Sequence, residues 1–184
     1  GAQAGLEAAR FDHSLGAVFS DFDGDGRLDL YVANDGDPNR LYQNVAWPGG
    51  ERADPVGLGF RLEERAAGAG VADPNAGMGI ASWGKFLFVS NSRGQTHAAY
   101  WQSGKVRFEP SPWQLPRASA AGWGASWIDL QNSGDPELVL ANGEIPITRL
   151  KTDAERIQVL VPAASDQMTD AGVAQSLRVN GRGL

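Results

Sequence analysis

An all-β chain that repeats one strand-loop-strand unit is what the sequence predicts, on three observations. Glycine (24), proline (10) and tryptophan (6) are abundant in 184 residues, a mixture that suits many short strands joined by turns. Apolar runs such as Leu30-Tyr31-Val32 and Leu87-Phe88-Val89 are short and rich in strand formers. A pattern of glycine, apolar strand, loop, apolar strand and asparagine recurs along the chain. Amphipathic helices are scarce, and the best stretches for them are residues 61–67 and 152–156.

The first unit starts with Gly16-Ala17-Val18-Phe19, a short buried strand, and runs into residues 21–30, Asp-Phe-Asp-Gly-Asp-Gly-Arg-Leu-Asp-Leu. Asp21, Asp23, Asp25 and Asp29 face one cation, Arg27, so the loop carries a charge of about −3 and repels itself without a counter-ion. Dense carboxylates on a glycine-containing loop favour calcium, which takes about six to eight oxygen ligands in flexible geometry, over magnesium, which demands a strict octahedron. Positions 1, 3 and 5 point Asp21, Asp23 and Asp25 inward, Gly26 at position 6 permits the sharp turn, and the Arg27 carbonyl adds a ligand. An EF-hand loop needs Glu at position 12, where this chain has Val32, and helices on both sides, where it has strand formers. The alternative is a solvated acidic turn between two strands.

A third copy of the unit reads Gly124-Ala125-Ser126-Trp127-Ile128-Asp129, a loop, then Leu138-Val139-Leu140-Ala141-Asn142. Its Asp129, Gln131, Ser133, Asp135 and Glu137 occupy positions 1, 3, 5, 7 and 9. Fewer acids at the inward positions mean weaker affinity, so the loop is expected as a weak second metal site or as a turn held by Asp129 and Ser133 hydrogen bonds. Between these copies, Gly79-Ile80-Ala81-Ser82-Trp83 and Leu87-Phe88-Val89-Ser90-Asn91 keep the strands. There Gly84-Lys85 reads as a two-residue hairpin in place of the metal loop. The repeats are placed at about residues 10–72, 73–117 and 118–178, with residues 179–184, which contain Gly183, expected to begin another.

These residues carry a family resemblance. Residues 21–34, Pro38-Asn39-Arg40-Leu41-Tyr42-Gln43-Asn44, Ala76-Gly77-Met78-Gly79-Ile80, Gly122-Trp123-Gly124 and Leu140-Ala141-Asn142-Gly143-Glu144-Ile145-Pro146 resemble the FG-GAP/VCBS repeats of the integrin-α-like β-propeller. Within that group they are closer to bacterial proteins related to cartilage acidic protein 1, which often end in an ASPIC/UnbV domain. The resemblance covers roughly residues 10–148. It implies four-stranded blades, with calcium held by the side chains of Asp21, Asp23, Asp25 and Asp29 and the backbone of Arg27. About three blades are present, and a closed propeller has about four to eight, so the remaining blades are expected from the same gene product or from neighbouring chains.

The net charge of −6 and the lack of a Lys/Arg cluster argue against nucleic acid and anionic membranes as partners. Without cysteine there is no disulfide framework and no thiol nucleophile. No apolar run reaches the length of a spanning helix, and the first residues lack the regions of a signal peptide. A calcium site of this kind suits the calcium-rich space outside the cytoplasm, so an extracellular, periplasmic or cell-surface location is expected, with a leader outside this chain.

The two histidines, His13 and His97, lie in different repeats away from any serine motif and are expected as exposed or edge-strand residues rather than triad members. Glu63, Glu64 and Glu109 read as solvated charges. Trp83, Trp123 and Trp127 are expected to pack between blades, while Trp47, Trp101 and Trp113 are placed in outer strands or loops, where they pack or face a sugar or a partner protein. Residues 45–59 read as a contact loop and residues 151–175 as an excursion from the blade edge. The expected function is that of a non-enzymatic, calcium-stabilised scaffold binding a protein or glycan, including as an accessory subunit on a membrane complex. The alternative is a polysaccharide lyase or hydrolase whose active site lies on other blades.

Overall fold

Three four-stranded antiparallel sheets follow one another in the computed structural model, which describes residues 2–6, 12–145, 149, 153–163, 166–172 and 178–179. The first is a meander of β1 (Ser14–Ser20), β2 (Asp29–Asn34), β3 (Arg40–Ala46) and β4 (Phe60–Glu64), closed by the one-turn helix α1 (Ala66–Ala69). The second repeats the order with β5 (Gly77–Trp83), β6 (Phe86–Asn91), β7 (Ala98–Gly104) and β8 (Arg107–Pro110). In the third, β9 (Ala121–Ile128) and β10 (Glu137–Gly143) are followed by a two-residue strand, β11 (Glu155–Arg156), and then by β12 (Gln158–Pro162) and β13 (Met168–Asp170). Its order is β9-β10-β12-β13, and β11 pairs instead with β14 (Arg178–Val179). None of the sheets closes into a barrel.

The second strand of each sheet is the most buried because it is covered on both faces. Between the first two sheets, Tyr31, Ala33 and Leu41 pack with Leu87, Val89, Phe108 and the α1 alanines. Between the second and third, Ala81 and Phe88 meet Leu138, Leu140, Leu160 and Met168. Full burial on both sides removes the apolar-polar alternation of a half-exposed strand.

The repeat is preserved in detail. Asn34 and Asn91 end their second strands and Asn142 is the last residue but one of its own, all buried, and each lies opposite a register shift in the first strand, across from Ser14, Gly77 and Gly122. Their amide groups donate to the carbonyls of Pro38 (2.7 Å), Thr96 (2.8 Å) and Arg156 (2.9 Å) at the entry to the third strand. A buried carbonyl at such a turn would otherwise lack a donor.

The first strands β1, β5 and β9 pack backbone to backbone. A Cβ on Gly16 would lie 2.1 Å from the Met78 carbonyl oxygen, and one on Gly79 would lie 2.7 Å from that of Trp123, so only glycine fits at either place. The Ser90 hydroxyl ties two sheets together, accepting from the Gly79 N–H at 2.9 Å and donating to the Gly122 carbonyl at 2.8 Å.

Several expectations change. The helix expected over residues 61–67 is mostly strand, since β4 occupies Phe60–Glu64 and leaves α1 a single turn. Of residues 152–156, the last two form β11, and residue 152 lies outside the described residues. Within the stretch expected as an excursion, residues 158–162 and 168–170 supply β12 and β13, whose Val159, Leu160 and Met168 are buried. Residues 180–184, expected to open a further repeat, lie outside the described residues. The Gly84-Lys85 hairpin is present, with Trp83 paired to Phe86 across it. Residues 47–59 form the β3–β4 loop, in which the Asp54 carboxylate accepts from Val56 and Gly59.

His97 is buried rather than exposed, at 5%, while His13 is exposed beside Asp37. The His97 Nδ1 accepts the Asn91 N–H at 2.9 Å, as the Asn39 side-chain oxygen accepts the Asn34 N–H at 2.8 Å in the first sheet. Burial pushes the His97 pKa down from 6.5 to about 4. The neutral ring belongs to the fold, so its contribution is complete above pH 6.5 and is lost as pH falls toward 4, where only the unfolded chain gains the proton. The full effect is about 3 kcal/mol. His97→Asn, which copies the first sheet, is expected to flatten the dependence of melting temperature on pH between 6.5 and 4 relative to the parent.

Gly16→Ala is expected to cost about 1–3 kcal/mol through overpacking. Gly68→Ala, which meets open space in α1, is expected to be neutral or stabilising; urea unfolding of the two proteins checks the contrast.

Candidate metal centre

The acid loop joins β1 to β2 and is organised by its own main chain. The Asp21 carboxylate accepts the N–H groups of Gly24 (2.8 Å), Asp25 (3.1 Å) and Gly26 (2.9 Å), and these bonds, that from Gly26 foremost, hold its carboxyl below the usual range. Gly26 has φ +86°, a left-handed turn that favours glycine at the predicted position.

Asp29 opens β2 and is fully buried. It accepts the Phe22 N–H at 2.9 Å and the Asn44 N–H at 2.8 Å. Burial raises its carboxyl above the usual range despite those bonds, and the charges of Asp23 and Asp25 push the same way. Asp23, also buried, accepts from Asp25 N–H at 3.1 Å and from Gln43 Nε2 at 2.7 Å.

One carboxylate oxygen from each of Asp21, Asp23 and Asp29 lies within 4.8 Å of the others. Three hard oxygens gathered this closely, with the charged form of Asp29 opposed by burial and by the neighbouring carboxylates, are a donor set suited to a hard divalent cation. Asp25 and Arg27, also expected as ligands, contact each other through their side chains. Asp25 lies outside the converging trio, accepting the Arg27 N–H at 2.8 Å and forming an ion pair with the Arg27 guanidinium. The guanidinium two residues on is the nearest counter-charge. The side chain of Arg27, whose carbonyl is the expected ligand, also donates from Nε to the Asn44 carbonyl at 3.0 Å.

The loop at residues 129–137 keeps the turn. Asp129 accepts from Ser133 (2.9 Å) and Gly134 (2.8 Å) N–H groups, the latter being the main reason its carboxyl sits below the usual range. Glu137, buried, accepts the Leu130 N–H at 2.9 Å, as Asp29 does that of Phe22, but its other oxygen takes the Gln131 amide at 2.6 Å. Ser133 bonds with the Asp135 backbone. Among the described residues a convergent trio of acids forms only in the first loop.

The braces from β3 were missed as site residues. Gln43 holds Asp23, and Asn44 holds Asp29 through its N–H and Leu28 through its side chain. Both stand in the Leu41-Tyr42-Gln43-Asn44 segment, whose role spacing alone does not reveal. Phe22 inserts from the loop into the core, edge-on to Phe108 at 5.7 Å, and its carbonyl accepts from Gln102 in the second sheet.

Four of the six tryptophans, Trp83, Trp101, Trp113 and Trp127, gather around Phe86 beside the two-residue turn. Phe86 stacks on Trp113 at 4.3 Å and meets Trp101 edge-on at 4.4 Å, with Trp127 adjoining. Trp83, expected in packing, is 42% exposed. Glu63 pairs with Arg65, and Glu64 accepts the Ala66 N–H. No helix among the described residues is long and apolar enough to cross a membrane.

No protein-family model matches the chain, and neither does any curated protein. The meaning of the loop therefore rests on its own residues.

With no added metal, Asp29→Asn is expected to cost about 1–3 kcal/mol, since an amide keeps only one of the two acceptor oxygens used by buried N–H groups. Asp25→Asn, at an exposed position, is expected to leave the thermal melt unmoved.

Proposed function

We propose that the chain is part of a calcium-stiffened β-propeller of the FG-GAP/VCBS type, a non-enzymatic scaffold that binds another protein or a glycan outside the cytoplasm. The observation that carries this reading is the convergence of Asp21, Asp23 and Asp29 on one point between two strands. The fold supports it: three meanders of like strand order pack face to face, with their first strands side by side. In this reading Asp21, Asp23 and Asp29 hold the ion. Calcium supplies the positive charge that the loop lacks, while Gln43 and Asn44 keep two of the carboxylates aimed. The ion thereby fixes the β1–β2 hairpin, and further blades, from the same gene product or from neighbouring chains, complete the ring. Broad rigid faces of this kind suit docking, including on a membrane-bound complex.

Calcium at a hundred times its Kd is expected to add about 2.7 kcal/mol, seen as a rise in melting temperature that EGTA reverses. Asp23→Ala abolishes the calcium-dependent shift, Asp129→Asn keeps it, and titration calorimetry gives a stoichiometry near one. A melting curve indifferent to both calcium and EGTA overturns the reading.

A further inference from the structure

The second sheet has a two-residue turn where its neighbours have long loops, and the shortening opens a cleft. The cleft has a volume of about 530 Å³ and is lined by Trp83, Trp113 and Pro162 together with Gln131, Ser133 and Asp135 of the third-sheet loop. Such a volume is within the range of small-ligand sites.

Its lining combines two chemistries. Trp83 is 42% exposed, unusual for a tryptophan within a strand, and lies nearly parallel to Phe86 (4°, centroids 6.4 Å apart). Phe86 lies nearly parallel to Trp113 (10°), so the indoles are close to parallel and rigidly backed by Trp101 and Trp127. In the same lining, the Gln131 amide nitrogen is fixed by Glu137, which orients the side chain and leaves its oxygen as an acceptor. Asp135, exposed, uses its backbone in the turn, so its carboxylate is available to accept two hydroxyls.

We propose that this cleft binds a neutral glycan. The C–H face of a pyranose ring is weakly positive and matches the negative face of an indole, while vicinal hydroxyls donate to a carboxylate and an amide oxygen. The carboxylates of Asp135 and Glu137 disfavour anionic sugars. The hydroxyl-accepting wall also distinguishes the cleft from an aromatic groove for proline-rich peptides, whose tertiary amides have no N–H to donate. This rests on the reading of the chain as a binding module and needs no ion in the acid loop.

The test is titration of the purified chain, followed by tryptophan fluorescence and calorimetry, with neutral hexasaccharides of glucose, xylose, mannose and N-acetylglucosamine, with polygalacturonate, and with a proline-rich peptide. A neutral hexasaccharide is expected to bind with the same affinity in calcium and in EGTA. Trp83→Ala and Asp135→Ala should each weaken it at least about tenfold, near 1.4 kcal/mol, and Asp135→Ala should do so without shifting the melt. Binding that survives Trp83→Ala, a preference for polygalacturonate, or displacement by the peptide with no sugar bound each overturns the proposal. If no sugar binds while calcium still raises the melting temperature, the cleft is not a glycan site and the calcium scaffold stands. If sugar binds and calcium has no effect, the reverse holds.

Discussion

Backbone-to-backbone contact between the first strands of the three sheets is the constraint on which the remaining structure depends. At Gly16 and Gly79 the neighbouring strand stands where a side chain would begin, so the sheets meet there without side chains between them. Strands that close cannot stay regular. Each first strand shifts register near its start, and an asparagine near the end of the second strand reaches over the irregularity to satisfy the chain as it turns. Close approach, bulge and asparagine form one device built three times.

The three inter-strand connections show how little the sheets depend on the acid loop. The second sheet dispenses with it, and the third keeps its shape through Asp129 and Glu137 with a neutral amide among the acids. Only the first gathers three carboxylates, and there burial opposes the ionisation of Asp29. There the carboxylates also cap the chain, Asp21 accepting the N–H groups of Gly24, Asp25 and Gly26, and Asp29 those of Phe22 and Asn44. In the second sheet the saving in length exposes aromatic surface instead.

Much of the architecture was legible in the sequence because strands buried on both faces and glycine turns leave local signals. The repeated glycine and asparagine, the Gly84-Lys85 hairpin and the acid loop were all readable in that way. What escaped depended on partners distant in the chain. Strand β12 carries only a short apolar run, Val159-Leu160-Val161, and β13 is three residues long; they take their places by pairing, β12 with β10 and β13 with β12. His97 looks polar and is buried, because its ring replaces the Asn39 acceptor of the first sheet. The expected ligand set placed Asp25 by position alone, and the pairing of its carboxylate with Arg27 is a side-chain choice that spacing does not encode.

Phe22 gives the acid loop a reach that its surface position conceals. Its ring lies against Phe108 between two sheets, and its carbonyl is held by Gln102 from the second. The loop therefore cannot open by fraying at its tip, because opening means withdrawing a large ring from the joint. Local motion of the loop and sliding of one sheet on the next become a single cooperative event, higher in free energy than a free turn would show. A force pulling the first two sheets apart would meet its first resistance at this loop, which behaves as a rivet through the seam.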